Sequence, residues 1–259
     1  MKKICIDGYN SYVAKIFYDK SKKKNKIYKF RSDINNIEEL KKFIIKKKIS
    51  IYIRFAGLSR VNCDIYKQDC YLTNYIANKK LVDFFKKKKI KLIFISSSHV
   101  YSYSNKKIDE NFLTKPNNNY GKLKLKSENY IKKNLQNFSI LRVFNIYGKN
   151  QPKGYFIPDI KKKIKDNISI KINNSYRDFI NVKEVVRFIN FLIKKDLKGI
   201  YNIGSGKSYK LKDIIKMISN KMKIKSNLLL TNKTDKLICN NTLIKENGFN
   251  IKNEKNINL

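Results

Sequence analysis

Tyr120 and Lys124 lie four residues apart in the segment NNNYGKLKLKSE (117–128), a spacing that puts both side chains on one face of a helix. A phenol exchanges protons more readily beside an ammonium group, because the positive charge favours the phenolate. The spacing alone is uninformative in a chain with 17 tyrosines and many lysines. Four Tyr-x-x-x-Lys matches occur, starting at Tyr18, Tyr75, Tyr103 and Tyr120. Only position along the chain can separate a chemical pair from accidental ones.

A second polar group, SSSHVYS (96–102), follows the clearest strand pattern of the sequence, KLIFI (91–95). Side chains at the carboxyl end of a buried strand lie where an open α/β sheet binds its ligand. His99 is the single histidine of the chain, and in this position it is a candidate acid or base. The alternatives are a serine-rich turn and a structural histidine.

The segment IDGYNSYVA (6–14) follows the first apolar run and opens a helical pattern. Gly8, Ser11 and Ala14 occupy the three glycine positions of a dinucleotide-binding turn, where the backbone approaches a pyrophosphate at a helix N-terminus. Only the first glycine is kept, so an ordinary strand–helix turn is the alternative.

The second apolar run ends in YKFRSD (28–33), with Lys29 and Arg31 where an NAD-binding fold usually places an acidic residue. A cation there suits the 2′-phosphate of NADP. A solvated strand end is the alternative. Arg31 carries more weight than Lys29, because the chain has only six arginines.

Strands and helices must position these residues, and the apolar runs that alternate with helical patterns predict a parallel sheet with crossover helices. The predicted strands are 3–7, 26–30, 50–57, 90–98 and 138–148, and the predicted helices are 10–20, 37–48, 65–88 and 120–135. Later elements are helices at 155–164, 182–193 and 211–219 and strands at 168–172 and 199–206, followed by about 30 loosely patterned polar residues. The prediction is an α/β fold: a doubly wound parallel sheet over 1–150 and a smaller, partly interleaved lobe over 151–259.

Composition indicates where the protein works and whether it binds a metal. No run approaches the ~20 apolar residues of a membrane span, and the N-terminus turns polar too soon for a signal peptide. Cys5, Cys63, Cys70 and Cys239 lack metal-ligand spacing, so we expect no metal and four reduced thiols in a cytoplasmic protein.

The net charge is +39. The lysines are spread along the whole chain rather than clustered, which argues against a specific nucleic-acid site. Weak, salt-sensitive binding to polyanions is expected regardless, and an anionic substrate would be drawn inward.

Several segments, in chain order, resemble the extended short-chain dehydrogenase/reductase family, specifically its nucleotide-sugar epimerases, dehydratases and reductases. They are IDGYNSYVA, RSDINNIEEL, IYIRFAGLS, NYIANKKLVDF, SSSHVYS, KPNNNYGKLKLKSE, LRVFNIYG, YRDFINVKEVV and GIYNIGSG. The resemblance covers nearly the whole chain and implies a Rossmann domain followed by a substrate-binding lobe.

The resemblance also implies roles. Tyr120 would exchange a proton with a sugar oxygen, Lys124 would support it and bind the nicotinamide ribose, Ser97 would hydrogen-bond the reacting oxygen, and His99 stands where epimerising members place a second acid or base. Residues implied at the cofactor are Gly8, Asn10, Ser11, Tyr12, Arg31, Asp33, Ile34, Ala56, Gly57, Asn74, Tyr120 and Lys124. Residues implied at the substrate are Ser97, Ser98, Asn145 and Arg177; for Arg177 a surface ion pair with Asp178 is the alternative.

Departures from the family pattern are Ser11 in the glycine turn, Arg54 and Asn181 in place of histidines, and the lack of any arginine after Arg187. The expected function is an NAD(P)-dependent nucleotide-sugar epimerase or 4-keto-reductase of polysaccharide biosynthesis, using NAD or, as Arg31 favours, NADP. A 4,6-dehydratase fits less well, because Ser98 and His99 occupy the places of its extra acid pair. The substrate would be a nucleotide-diphosphate sugar, and the protein a homodimer formed through helices 65–88 and 120–135. A catalytically degenerate scaffold that binds a dinucleotide or RNA is the alternative.

Overall fold

The computed structural model describes residues 2–252 and residue 257. The chain divides into two compact units, each assembled from three segments. Unit 1 comprises residues 1–101, 113–143 and 186–201, and unit 2 comprises residues 102–112, 144–185 and 202–259.

A strand forms at each predicted apolar run, mostly with shorter bounds, although β7 extends beyond the predicted 168–172 and the short strands β8 and β10 were not predicted. They are β1 (Lys3–Ile6), β2 (Lys26–Lys29), β3 (Ile51–Arg54), β4 (Lys91–Ser97), β5 (Phe138–Val143), β6 (Asn145–Tyr147), β7 (Ile170–Arg177), β8 (Phe179–Asn181), β9 (Gly199–Ile203), β10 (Tyr209–Lys210) and β11 (Leu228–Leu237).

The helices follow the 3.6-residue apolar patterns, and several begin at a capping side chain. They are α1 (Tyr12–Ser21), α2 (Ile37–Lys47), α3 (Arg60–Ile65), α4 (Lys67–Tyr71), α5 (Ala77–Phe85), α6 (Asn119–Asn134), α7 (Phe156–Lys165), α8 (Val182–Lys195), α9 (Leu211–Met222) and α10 (Thr242–Glu246). Ser11, Asn36 and Asn118 accept backbone N–H groups in the first turns of α1, α2 and α6, which satisfies donors that a helix start leaves unpaired.

The main sheet has six strands in the order β2-β1-β3-β4-β5-β9. The four pairings from β2 to β5 are parallel, and the predicted doubly wound α/β fold is confirmed. The strand order reverses between β1 and β3, and the crevice at the carboxyl ends of such a pair is where open α/β sheets bind ligands. The residues after β1 and β3 are therefore the ones to examine.

The predicted single helix over 65–88 is wrong in its continuity. Tyr66, with backbone angles of −106° and 69°, separates α3 from α4, and a π-helical turn at Leu72–Ile76 joins α4 to α5. The amphipathic pattern of residues 65–88 is the same as that of an unbroken helix, so periodicity alone does not reveal the break.

The expectation of four reduced cysteines is also wrong. The turn between α3 and α4 brings Cys63 and Cys70 to a Cα separation of 5.1 Å, and a disulfide joins them. Their spacing of seven residues gives no hint of this, because proximity depends on the break at Tyr66. Cys5 and Cys239 are buried free thiols. A cytoplasmic location stays a prediction.

Unit 2 holds a three-stranded sheet of order β10-β7-β11 and a two-stranded parallel sheet of β6 and β8. Its apolar core gathers α7, α9 and these strands around Ile160, Phe179 and Ile215. The polar segment near the C-terminus contains the ten-residue strand β11, which the sequence analysis missed. β11 pairs in parallel with β7. Five of its ten residues are exposed, without regular alternation, so it lacks the apolar pattern that marks a half-buried strand.

None of the helices described for the chain has the length and hydropathy needed to cross a membrane. Within the same residues, no group of three or more metal-binding side chains forms a candidate metal site.

Candidate active site

The turn after β1 is pressed against the end of β3. Gly8 has a φ of +53°, and a Cβ atom placed on it would lie 2.5 Å from the backbone nitrogen of Ala56. Glycine is required here for both reasons. Three residues later, the Ser11 hydroxyl accepts the Ala14 N–H at 3.4 Å. The departure from glycine at position 11 therefore supplies the N-cap of α1.

A buried ion pair holds the ends of β1 and β3 together. Asp7 Oδ2 accepts Arg54 Nη1 at 2.7 Å and the Tyr52 hydroxyl at 2.8 Å, and its Oδ1 accepts the N–H groups of Phe55 and Ala56 at 2.7 and 2.8 Å. Four bonds satisfy a carboxylate that is only 1% exposed, as a buried charge requires. The unusual arginine at position 54 is thus the partner of Asp7.

Arg54 and Asn74 extend this arrangement to the π-helical turn. The second guanidinium nitrogen of Arg54 donates to the Thr73 carbonyl at 2.7 Å. The Asn74 side chain accepts the Leu58 N–H at 2.7 Å, donates to the Leu58 carbonyl at 3.1 Å and contacts both disulfide sulfurs at 3.4 Å. The loop after β3 is therefore fixed from two sides.

Lys124 lies one helical turn beyond Tyr120 in α6 and is 5% exposed. Its Nζ donates to the Ile95 carbonyl at 2.9 Å and lies 5.8 Å from the centroid of the Tyr120 ring. Burial, reinforced by the charge of Arg54 and opposed by Asp7 and Glu128, lowers the pKa of Lys124 to about 8. A desolvated ammonium thus stands beside the phenol, held by a neutral carbonyl oxygen.

Ser97 and His99 lie opposite the start of α6. The Ser97 hydroxyl accepts the His99 N–H at 3.2 Å and caps the 3₁₀ turn Ser98–Val100. The His99 ring meets the Tyr120 ring edge-to-face at a centroid distance of 5.9 Å. Ser98 is 2% exposed. The structure therefore brings together the four residues predicted to be catalytic, Ser97, His99, Tyr120 and Lys124.

A second buried ion pair anchors α6 to the sheet. Glu128 accepts three bonds from Arg142 at 2.7, 3.1 and 3.3 Å and the Ser96 hydroxyl at 2.5 Å. Arg142 also donates to the Tyr101 hydroxyl at 2.6 Å. Sequence reasoning missed this network. The signal available was a glutamate one turn after Lys124, together with one of six arginines inside an apolar strand.

Other residues predicted to contact the cofactor follow β1 and β2, which are neighbours in the sheet. The Arg31 guanidinium lies 5.9 Å from the centroid of the Tyr9 ring, within the turn after β1. Asp33 accepts the backbone and side-chain nitrogens of Asn35 at 2.9 and 3.1 Å, so it shapes the entry to α2. Asn10 is exposed, Ile34 is partly buried and Tyr12 is buried.

In unit 2, Arg177 forms an ion pair with Asp235, donates to the carbonyls of Tyr176 and Asp235 and lies over the Tyr103 ring at 4.8 Å. The suggested ion pair with Asp178 is wrong. Asp178 is fully buried and accepts the N–H groups of Ser205 and Gly206, both at 2.8 Å.

Asn145, a predicted substrate contact, and Asn181, a departure from the family pattern, both contact backbone groups in unit 2. Asn145 donates to the Asp178 carbonyl at 3.0 Å. Asn181, which stands where the family pattern has histidine, accepts the Lys183 N–H at 2.9 Å. Asn181 therefore supports the first turn of α8.

Comparison with known proteins assigns the family. A model of the NAD-dependent epimerase/dehydratase family matches residues 11–204. The chain belongs to this family. The dTDP-4-dehydro-6-deoxyglucose reductase of Escherichia coli is 34% identical over 222 residues, which cover 77% of this chain and 68% of that protein. The ADP-L-glycero-D-manno-heptose-6-epimerase of Fusobacterium nucleatum is 31% identical over 165 residues, 54% of this chain and 50% of that protein.

The fold agrees with this assignment. The dTDP-4-dehydrorhamnose reductase of Bacillus anthracis, solved in complex with NADP, superimposes with a TM-score of 0.84 over 97% of this chain and 94% of that chain, at 23% identity. Membership of the epimerase/dehydratase family confirms the resemblance found in the sequence. The individual site residues stay predictions.

Proposed function

We propose that this chain is an NAD(P)-dependent enzyme that reduces or epimerises a nucleotide-linked sugar, with reduction of a 4-keto group as its main reaction. One observation carries the proposal: the buried Lys124 ammonium beside Tyr120, at the end of β4 where Ser97 also lies. The ammonium hydrogen-bonds to the neutral Ile95 carbonyl and lies 4.8 Å from the centroid of the Phe94 ring. Burying a charge against neutral partners is costly, so a purely structural role would not account for it.

The crevice fits a dinucleotide. Gly8 allows the tight turn after β1 that leads into α1, and the N-terminus of α1 favours a phosphate. Gly8, Asn10, Ser11 and Tyr12 would hold the pyrophosphate side, Ala56, Gly57 and Asn74 would line the approach to the nicotinamide, and Arg31, Asp33 and Ile34 would face the adenosine. The exposed guanidinium of Arg31 beside Tyr9 favours NADP, because it can pair with a 2′-phosphate.

The chain's own residues would handle the proton and orient the sugar. The bound nicotinamide would supply the hydride. Tyr120 would give its phenolic proton to the carbonyl oxygen of the sugar, and the Lys124 ammonium would stabilise the resulting phenolate. Ser97 would donate a hydrogen bond to the same oxygen. Asn145 and Arg177 are the proposed contacts to the nucleotide diphosphate, and Arg177 would then have to share its charge with Asp235.

A substrate screen tests this proposal. Purified protein is mixed with NDP-4-keto-sugars and NADPH, or with UDP-hexoses and NAD, and nicotinamide absorbance and product stereochemistry are followed. We expect oxidation of NADPH by an NDP-4-keto-sugar and loss of that turnover in Tyr120→Phe. Tyr18→Phe is the matched control, because Tyr18, in α1, has Lys22 at the same spacing of four residues.

Other outcomes separate the competing functions. Interconversion of UDP-hexoses without net change in absorbance would identify an epimerase. A protein that binds no dinucleotide but retains RNA at physiological salt would be a scaffold, and the proposal would be abandoned.

A further inference from the structure

The Asn118 side chain joins the start of α6 to His99. Its Oδ1 accepts the Gly121 N–H at 2.9 Å, which caps the helix. Its Nδ2 lies 3.2 Å from His99 Nδ1 and 2.9 Å from Asn117 Oδ1. All three contacts have hydrogen-bonding distances, so the amide is engaged at both ends.

These contacts determine which way round the amide lies. The Gly121 N–H can only donate, so it must face the amide oxygen, which is the one acceptor of the Asn118 side chain. The amide nitrogen therefore faces His99. An amide nitrogen only donates, so His99 Nδ1 must accept. A neutral imidazole that accepts at Nδ1 carries its proton on Nε2.

The backbone prevents an easy escape from this arrangement. Gly121 lies so close to the His99 carbonyl that a Cβ atom would collide with it and would approach Pro116 at 3.0 Å. The Ser97 hydroxyl accepts the His99 N–H from the other side. The first turn of α6 is thus packed against the backbone of His99, which limits how far Asn118 can move away from this residue.

We propose that Asn118 is a positioning residue that holds His99 as the Nε2–H tautomer, so that His99 is a hydrogen-bond donor to the substrate and not a proton carrier. If Nδ1 accepted a proton, its N–H would face the N–H of the Asn118 amide, and two donors would oppose each other. A neutral imidazole also does not readily release its Nε2 proton. This role rests on the proposed function. In it, the His99 Nε2–H group is an electrophile that polarises a sugar oxygen, while Tyr120 alone transfers a proton. A ketone reduction needs only that one proton.

The single histidine makes a direct test possible. The protein is labelled with ¹⁵N-histidine, and the two ring-nitrogen shifts are recorded on the alkaline side of the imidazole titration, which the same spectra locate. We expect Nδ1 at the shift of an unprotonated ring nitrogen and Nε2 at that of a protonated one. A wild-type spectrum with the proton on Nδ1, or with a mixture of tautomers, would overturn the proposal.

Variants at Asn118 separate its two roles. Asn118→Asp keeps the helix cap but places an acceptor opposite Nδ1, so the proton should move to Nδ1. Asn118→Ser keeps a cap and loses the contact, so a mixture of tautomers is expected. Asn117→Asp is the matched control: it adds the same charge one residue away and should leave the tautomer unchanged. Unaltered ring shifts in both Asn118 variants, with folded spectra, would also overturn the proposal.

Activity supplies an independent readout. Turnover should fall about tenfold or more in Asn118→Asp, equivalent to ~1.4 kcal/mol of transition-state stabilisation, with no comparable change in dinucleotide affinity. If no sugar is turned over by the wild type, the proposed function fails while the tautomer measurement still stands. If turnover is unaffected by a confirmed tautomer change, the electrophilic role of His99 is refuted.

Discussion

Two motif cations, one in each unit, are held in opposite ways. In unit 1 the Lys124 ammonium bonds to the carbonyl of Ile95, a neutral partner. In unit 2 the Arg177 guanidinium is paired with Asp235, a carboxylate that is itself 5% exposed. A neutral acceptor leaves a net positive charge available to a reacting oxygen, whereas a carboxylate cancels much of it. Lys124 and Arg177 both come from recognisable sequence motifs, but they differ in the net positive charge that they can offer to a ligand.

Replacing Lys124 should give the largest effect. Lys124→Met is expected to lower turnover by about 100-fold or more, because it removes the charge that favours the Tyr120 phenolate. It should not lower the free energy of unfolding at neutral pH, since burial of the ammonium is unfavourable. Turnover and urea denaturation measure the two effects, with the exposed Lys122→Met as control.

The sign of the pH dependence follows from the lowered pKa of about 8 for Lys124. The unfolded chain binds a proton more tightly than the folded one, so the unfavourable contribution is full below about pH 8 and disappears as the pH rises toward the usual lysine value near 10.4. Wild-type stability should therefore rise over this range relative to Lys124→Met. A parallel pH dependence in both proteins would show that the ammonium is not buried as described.

Asp178 tests the interior of unit 2. Asp178→Asn should lower the free energy of unfolding by about 2–4 kcal/mol, because the new amide turns donors toward N–H groups that now bond to carboxylate oxygens. Burial raises the pKa of Asp178 to about 6, against the hydrogen bonds from Ser205, Gly206 and Cys239. The stabilisation by the protonated form is thus full below about pH 4 and lost as the pH rises through 6. Urea denaturation at pH 5 and pH 7.5 measures both effects.

Releasing Arg177 addresses the comparison directly. Asp235→Asn should cost about 1–3 kcal/mol of stability, since a partly buried guanidinium loses its carboxylate. If Arg177 binds the diphosphate, the same change should tighten nucleotide-sugar binding, which calorimetry with UDP or dTDP would detect. Asp64→Asn, which removes an exposed arginine pair at 4.0 Å, is the control and should cost less than ~1 kcal/mol. Unchanged nucleotide affinity in Asp235→Asn would argue for a purely structural Arg177.

Arg31 should give the smallest effect. Arg31→Ala is expected to weaken NADPH binding by about tenfold or less relative to NADH, because the residue is exposed and its pairing with a 2′-phosphate is screened. Fluorescence titration with both dinucleotides measures the ratio. Lys29→Ala, which removes a neighbouring cation stacked on Tyr18, should leave the ratio unchanged; an equal change in both variants would indicate a general charge effect.

The sequence was sufficient for the six-stranded sheet and for the elements that carry the proposed catalytic residues, because both depend on local patterns. The apolar run before Ser97 shows strand β4, and the helical pattern from Tyr120 onward shows α6. Pairings between distant residues were not predictable. Asp7 with Arg54, Glu128 with Arg142 and Arg177 with Asp235 each join different elements, and composition gives no register for them.

Local context also failed where the backbone departs from regular geometry. The break at Tyr66 brings Cys63 and Cys70 close enough to form a disulfide. Strand β11 has no apolar alternation from which it could be predicted. In both places tertiary contacts overrule the local pattern. These differences lie outside the four residues proposed for catalysis, whose roles stay predictions.

The four bonds to Asp7 have a consequence for how a ligand meets this protein. The loop after β3 and the turn after β1 are tied to one buried carboxylate before anything binds, so little chain ordering remains to oppose association. Such preorganisation favours a rigid, receptive crevice over one that closes around its ligand. The amides of Phe55 and Ala56 should accordingly exchange slowly with solvent in the ligand-free protein, at rates closer to those of the central strands than to those of a surface loop.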